Sequence, residues 1–226
     1  MSRFGFLPRA CAFDFDGTLV DTMWGYARIA GEAMQSHLGI PFEEGHRRYL
    51  ETSGIPFFQQ LELIRPGEAR NARCAEEFEA RKIEGLFLSA PDADTLAGLT
   101  RLRAAGIRVI VSSNNFQELV EEYLRRHPAL VVDLALGFDR RGLEKGRPHF
   151  LRLEEAFGLR TAEVLYCGDS LKDGERALAH GVPFVGRTGI FTRAQFLAQF
   201  PGIETVDSIL ELAEGVLAAR VDEPRA

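Results

Sequence analysis

The chain has 226 residues, 46% of them hydrophobic and 27% charged, with a formal net charge of −6. That composition describes an ordinary globular protein able to bury a core without staples, and its mildly acidic balance, with no basic stripe, argues against nucleic acid or an anionic membrane surface as partner. No apolar run reaches membrane-spanning length, MSRFGFLPRA is too short and broken for a signal peptide, and Cys11, Cys74 and Cys167 show neither metal-like spacing nor the pattern of a disulfide framework, so a cytoplasmic protein is expected.

In chain order, RACAFDF (9–15) reads as a buried strand that ends in acid and turns at Gly17. From Thr22 to about Ser89 no strand is convincing. MWGYARIAGEAMQSHLG and ARNARCAEEFEARKIEG read as helices, and TSGIPFFQQLELIRPG as a loop followed by a short helix. Trp24, Phe57 and Phe58 in this segment are expected in its core, and the Thr52–Pro56 loop is a candidate for substrate specificity. Residues 92–105 carry leucines at 96, 99 and 102 behind Asp92 or Asp94 as a cap, which predicts an amphipathic helix stopped by Gly106. IRVIV is a second buried strand, FQELVEEYLRR a helix halted before Pro128, and VVDLALGF a third strand. HFLRLEEAFG is helical, EVLYCG a fourth strand, KDGERALAHG a helix and VPFVG a fifth strand. Helices near 193–200 and 207–219 follow.

Alternating helix and strand from residue 92 onward implies an α/β fold, a three-layer Rossmann-like parallel sheet covered on both faces. The expected organisation is a catalytic core of residues 1–21 and 90–226, with a small helical cap, 22–89, spliced in after the first strand. Right-handed crossovers bring every strand's C-terminal end to one edge, where ligands bind in such sheets.

The polar residues of the chain collect at that edge. Strand one ends in Asp14 and Asp16, strand two in Ser112, Ser113 and Asn114. Lys145 follows strand three, and strand four runs into Asp169 and Asp173. Residues i and i+2 of an extended chain share a face, so Asp14 and Asp16 can converge with Asp169. Oxygen-only carboxylate ligands suit a hard cation, Mg²⁺ above all, and no Cys/His set argues for zinc. A serine hydroxyl, backbone amides and the Lys145 ammonium are donors for the peripheral oxygens of a phosphoryl group. Blander readings stand beside these: Asp and Gly are common at turns, Asp169 or Ser170 can cap a helix, and a lone lysine is usually solvated.

DFDGTLVDT, VIVSSN, Lys145 and GDSLKD, in this order and spacing, resemble the four motifs of the haloacid dehalogenase superfamily over residues 10–186. The resemblance implies that Asp14 is a nucleophile forming a phosphoaspartate, and that Asp16 is the general acid/base with a backbone carbonyl on the metal. It implies Asp169 as a direct metal ligand and Asp173 as a ligand or supporting acid. Ser113, or Ser112, with Asn114 and Lys145 would bind the phosphate. Among relatives, the second acid, Asp16, argues against carbon–halogen and carbon–phosphorus cleavage. Tyr26 stands where the phosphosugar mutases have a histidine, and the TSGIPFF loop lacks their arginine. A Mg²⁺-dependent phosphatase similar to the phosphoglycolate phosphatases is therefore expected, acting on a small phosphorylated metabolite. A phosphosugar mutase and a non-enzymatic phospho-signalling domain are the alternatives, the latter disfavoured because both acids of the pair lie on strand one. Arg47, Arg48, Arg65 and Lys82 are candidates for an anionic substrate tail.

Overall fold

The computed structural model describes residues 3–218; Met1 and Ser2 of the N-terminal segment and Ala219 of the last expected helix lie outside the described residues. The chain divides into two compact units, one made of the segments up to Val20 and from Pro91 onward, the other of Asp21–Ala90.

The first unit is built on β1 (Ala10–Phe13), β2 (Arg108–Phe116), β3 (Leu134–Phe138), β4 (Val164–Gly168), β5 (Phe184–Arg187) and β6 (Glu204–Val206). All pair in parallel, in the order β3-β2-β1-β4-β5-β6. β6 is not expected from the sequence: it has only three residues and sits at the sheet edge, and so short a run carries no periodicity. Among the described residues, six α-helices accompany these strands in this unit. They are α5 (Ala93–Ala104), α6 (Gln117–Arg126), α7 (Arg147–Phe157), α8 (Leu171–Ala179), α9 (Arg193–Gln199) and α10 (Ile209–Leu217). Asp92 caps α5 by accepting from the Thr95 amide.

Alternation along the strands sorts the core into two layers. Ala10, Ala12, Ile110, Leu136, Val164, Tyr166 and Phe184 pack with Phe150 and Leu153 of α7, Ala177 of α8 and Phe196 of α9. Their neighbours Cys11, Phe13, Val109, Val111, Leu165 and Cys167 are equally buried and so face the opposite side. This parity directs the site. Asp14 continues the row of Ala10 and Ala12 toward α7 and α8, whereas Phe15 meets Tyr123 of α6 edge-on at 5.0 Å.

The chain steps outward from β1 to β2 and β3, then returns to place β4 on the other flank of β1. The strand order therefore reverses between β1 and β4, the crevice where open α/β sheets bind ligands.

The second unit holds α1 (Met23–Leu38), α2 (Phe42–Glu51), α3 (Phe57–Ile64) and α4 (Asn71–Leu88). Its core gathers Tyr26, Tyr49, Phe57 and Phe78, with Phe57 and Phe78 rings 4.2 Å apart. Phe57 is buried as expected, but Trp24 and Phe58 are 54% and 46% exposed. Trp24 stacks on His46 of α2 with one ring face and leaves about half of its surface to solvent. Arg47 and Arg48 pair with Glu51 and Glu44 along α2, and Lys82 lies over the Tyr26 ring. The Thr52–Pro56 loop is clamped by Gln60, which accepts from the Thr52 hydroxyl at 2.8 Å and donates to the Ile55 carbonyl at 3.0 Å. No helix among the described residues is long and apolar enough to cross a membrane.

Candidate active site

Register builds the site. Phe13 is paired with Cys167 and the Asp14 amide donates to the Cys167 carbonyl at 2.9 Å, so Asp14 and Asp169 leave adjacent strands side by side. After Asp14 the chain curls into a turn, the Leu19 and Val20 amides both donating to the Phe15 carbonyl. The turn sets Asp16 beside the end of β2 instead of deeper along β1.

At the end of β4, Ser170 is the N-cap of α8. Its hydroxyl accepts from the Asp173 amide, while Asp173 Oδ2 accepts from the Ser170 amide at 3.2 Å and hydroxyl at 2.7 Å. This reciprocal capping box satisfies the helix start and leaves Asp169 free of capping duty. Gly168 is required next to it, because a Cβ there would lie 2.6 Å from Cβ and Cγ of Asp173.

Lys145, just before α7, is buried between two carboxylates. Its Nζ lies 2.6 Å from Asp14 Oδ1 and 2.6 Å from Asp173 Oδ1. Burial by itself pulls the ammonium pKa down, but Asp14 and Asp173 outweigh it and hold the group well above its usual value. Burial raises Asp14 to about 6, with Lys145 opposing and Asp173 adding to the rise. Asp169 is pushed well above the carboxylate range by burial and by the Asp14 and Asp173 charges.

The carboxylates of Asp14, Asp169 and Asp173 offer oxygens all within 4.8 Å of one another. Three carboxyl groups crowded against one ammonium in a buried space repel one another as they ionise, an arrangement that invites a divalent cation. Asp169 Oδ2 is buried, and no hydrogen-bond donor among the described residues reaches it; Oδ1 takes a long 3.5 Å contact from the Thr18 hydroxyl, and the Asp14 carboxyl group lies within hydrogen-bonding reach of Asp169. An all-oxygen donor set with an orphaned buried carboxylate oxygen fits Mg²⁺.

The remaining sequence candidates divide. Ser112 and Ser113 are both buried, but the pleat sends Ser112 under α7, where its hydroxyl meets His149 Nδ1 at 2.8 Å. His149 Nε2 lies 3.2 Å from the Gly137 carbonyl. That carbonyl only accepts, so Nε2 carries the proton and Nδ1 accepts from Ser112. Ser113 faces away from this pair, its Oγ accepting from the Asn115 amide at 3.0 Å. Asn114 is exposed, whereas Asn115 is buried and donates to Asp16 Oδ2 at 2.8 Å.

Asn115 and the Ser112–His149 pair are not among the residues expected from the sequence, and Ser170, expected only as a possible helix cap, also anchors Asp173. The doubled asparagine in SSNN offered the first as an alternative. His149, two residues into a helix among apolar neighbours, was the only trace of the second.

A family model described as haloacid dehalogenase-like hydrolase matches residues 8–181. The chain belongs to this family. A phosphoglycolate phosphatase from Neisseria gonorrhoeae is 32% identical over 190 residues, 80% of each protein. Another from Synechococcus elongatus is 26% identical over 215 residues, 90% of this chain and 96% of its own. Among solved structures, a predicted phosphatase from Clostridium acetobutylicum superposes with a TM-score of 0.78 at 20% identity, over 94% of this chain and all of its own, and shares the fold. The haloacid dehalogenase-like assignment accounts for the α/β sheet and for four motif segments meeting at one strand edge.

Proposed function

We propose that this haloacid dehalogenase-like phosphatase hydrolyses a small phosphorylated metabolite, with Mg²⁺ as cofactor, through a phosphoaspartate on Asp14. The observation that carries the reading is the buried convergence of Asp14, Lys145, Asp169 and Asp173 where the strand order reverses. Asp14, Asp169, the Asp16 carbonyl and, through its charge, Asp173 would hold the cation. When bound, Mg²⁺ supplies positive charge that offsets the repulsion between phosphate and the acids and stabilises charge developing on phosphoryl oxygens.

The chain's own residues account for the rest. Asp14 attacks phosphorus, forming an acyl-phosphate bond as the ester P–O bond breaks, and Asp16 gives its proton to the leaving oxygen. A water then attacks the phosphoaspartate, Asp16 takes its proton, and the Asp14–phosphorus bond breaks to release inorganic phosphate. Lys145, held by Asp173, reaches Asp14 and the incoming phosphate together. Ser113 supplies a hydroxyl for a peripheral oxygen, Ser112 being occupied with His149; the expected phosphate contact from Asn114 is not part of this reading, because Asn114 is exposed.

The helical unit, Asp21–Ala90, serves as the cap in this proposal, opening for substrate and closing against water. Relatives named phosphoglycolate phosphatase make two- and three-carbon phosphomonoesters the first substrates to try. Buried thiols at Cys11, Cys74 and Cys167 and a mildly acidic composition support a cytoplasmic setting.

The test is Asp14→Asn, which should abolish phosphate release from an aryl phosphate while leaving circular dichroism unchanged. Chelation should silence the native enzyme and added Mg²⁺ restore it. Substantial turnover by Asp14→Asn, or indifference to chelator, would overturn the nucleophile or the metal assignment respectively.

A further inference from the structure

The end of β2 departs from regular pairing with β3. Ser112 is paired with Leu136 and Phe116 with Phe138, so four steps along β2 match two along β3. The extra residues bulge, and a bulge re-aims side chains. Here it turns Asn114 outward and Asn115 inward.

The bulge is pinned from the β3 side. Gln117 accepts from the Gly137 amide at 2.5 Å and donates to the Ala135 carbonyl at 3.1 Å. Gly137 lets the two backbones touch, since a Cβ there would lie 2.8 Å from the Asn115 carbonyl and 2.7 Å from Gln117 Cα. Asn115 is thus held by its own backbone, and the residue is only 5% exposed.

From that position Asn115 reaches two groups. Its Nδ2 donates to Asp16 Oδ2 at 2.8 Å. Its backbone amide donates to Ser113 Oγ at 3.0 Å, which takes up a lone pair and leaves the Ser113 O–H to donate elsewhere.

We infer that Asn115 is the positioning residue for proton transfer, fixing the Asp16 carboxylate where it meets the leaving oxygen and orienting the Ser113 hydroxyl as a donor. Nothing in the motif resemblance assigns this residue a role. The inference rests on the reading of Asp16 as general acid. Asp16 gives its proton as the P–O bond to the leaving group breaks, and Asn115 neither gains nor loses a proton.

Leaving-group dependence tests it. A positioned acid matters most when the leaving oxygen is basic, so its loss steepens the fall of kcat/KM with leaving-group pKa. With Mg²⁺ present, kcat/KM should be measured for wild type, Asn115→Ala, Asn115→Ser and Asp16→Asn against alkyl phosphates and a series of substituted phenyl phosphates. Both Asn115 variants should lose about tenfold or more with alkyl phosphates and distinctly less with the most acidic phenols. Asp16→Asn should steepen the dependence further. If Asp16→Asn steepens it and the Asn115 variants lose activity in parallel across the series, or lose none, Asn115 has no positioning role. If Asp16→Asn itself leaves the slope of wild type, the general-acid reading fails and the inference with it. Asn115→Ser retains a small polar side chain, so one variant should remain soluble if the alanine does not fold; thermal unfolding of each separates lost stability from lost proton transfer.

Discussion

His149 should make the fold acid-sensitive in a defined window. It is fully buried on α7 as the neutral tautomer, with Ser112 on one ring nitrogen and the Gly137 carbonyl on the other. Burial is the main reason its pKa falls from 6.5 to about 4, and the Lys145 charge adds to the fall against the opposing Gly137 bond. Protonation would put hydrogen on both nitrogens and force the Ser112 hydroxyl to turn. Between pH 6.5 and 4 the unfolded chain binds the proton that the folded chain refuses, so stability falls as pH falls through this window. A drop of about 2.5 pK units corresponds to about 3 kcal/mol once pH is below 4, and about 2 kcal/mol of it is lost by pH 5. Asp14 tilts the other way: its folded pKa is raised to about 6, so its contribution is present below the unfolded value of 3.8 and lost as pH rises to 6. Comparison with His149→Asn cancels that background. Urea unfolding of both proteins at several pH values from 7.5 to 5 should show the wild-type advantage shrinking by about 2 kcal/mol. A difference that stays flat within about 0.5 kcal/mol across this range would refute the buried neutral imidazole.

Four other outcomes are expected. Lys145→Ala leaves Asp14 and Asp173 buried without their partner and should cost about 3–5 kcal/mol in chemical unfolding without metal; a loss below about 1 kcal/mol would mean the pair is effectively solvated. Mg²⁺ should raise the melting temperature of wild type, and Asp169→Asn should blunt the rise, by differential scanning calorimetry. Gly168→Ala must displace Asp173 and should cost about 1–3 kcal/mol together with much of the activity, read by unfolding and by phosphate release. Ser113→Ala should lower kcat/KM clearly more than Ser112→Ala, whereas Ser112→Ala should chiefly cost about 1 kcal/mol of stability through His149.

The site was legible where the chemistry sits directly at a strand end. Asp14 and Asp169 follow buried runs that mark β1 and β4, and parallel pairing leaves them no choice but the same edge. Asp173 and Ser170 were visible as helix-start residues, yet their mutual capping and the tether to Lys145 depend on Gly168 letting two segments touch. Lys145 could be placed near the edge from its position after β3, but its insertion between two acids is a tertiary contact. The exposed Trp24 and Phe58 show the limit of composition: an aromatic on a helix is buried only if another element comes to cover that face.

What the amino-acid sequence determined by itself was the alternation of α and β segments, the polar strand ends and the acidic pair of the first motif, because these follow from local periodicity and residue chemistry. The bulge that buries Asn115 and exposes Asn114, the pleat that gives Ser112 to His149 and turns Ser113 away from it, and the short edge strand β6 were decided only in the tertiary structure. Each depends on how one strand registers against another. A one-residue shift in register reverses which side chain faces inward, and no local pattern within SSNN distinguishes the two outcomes.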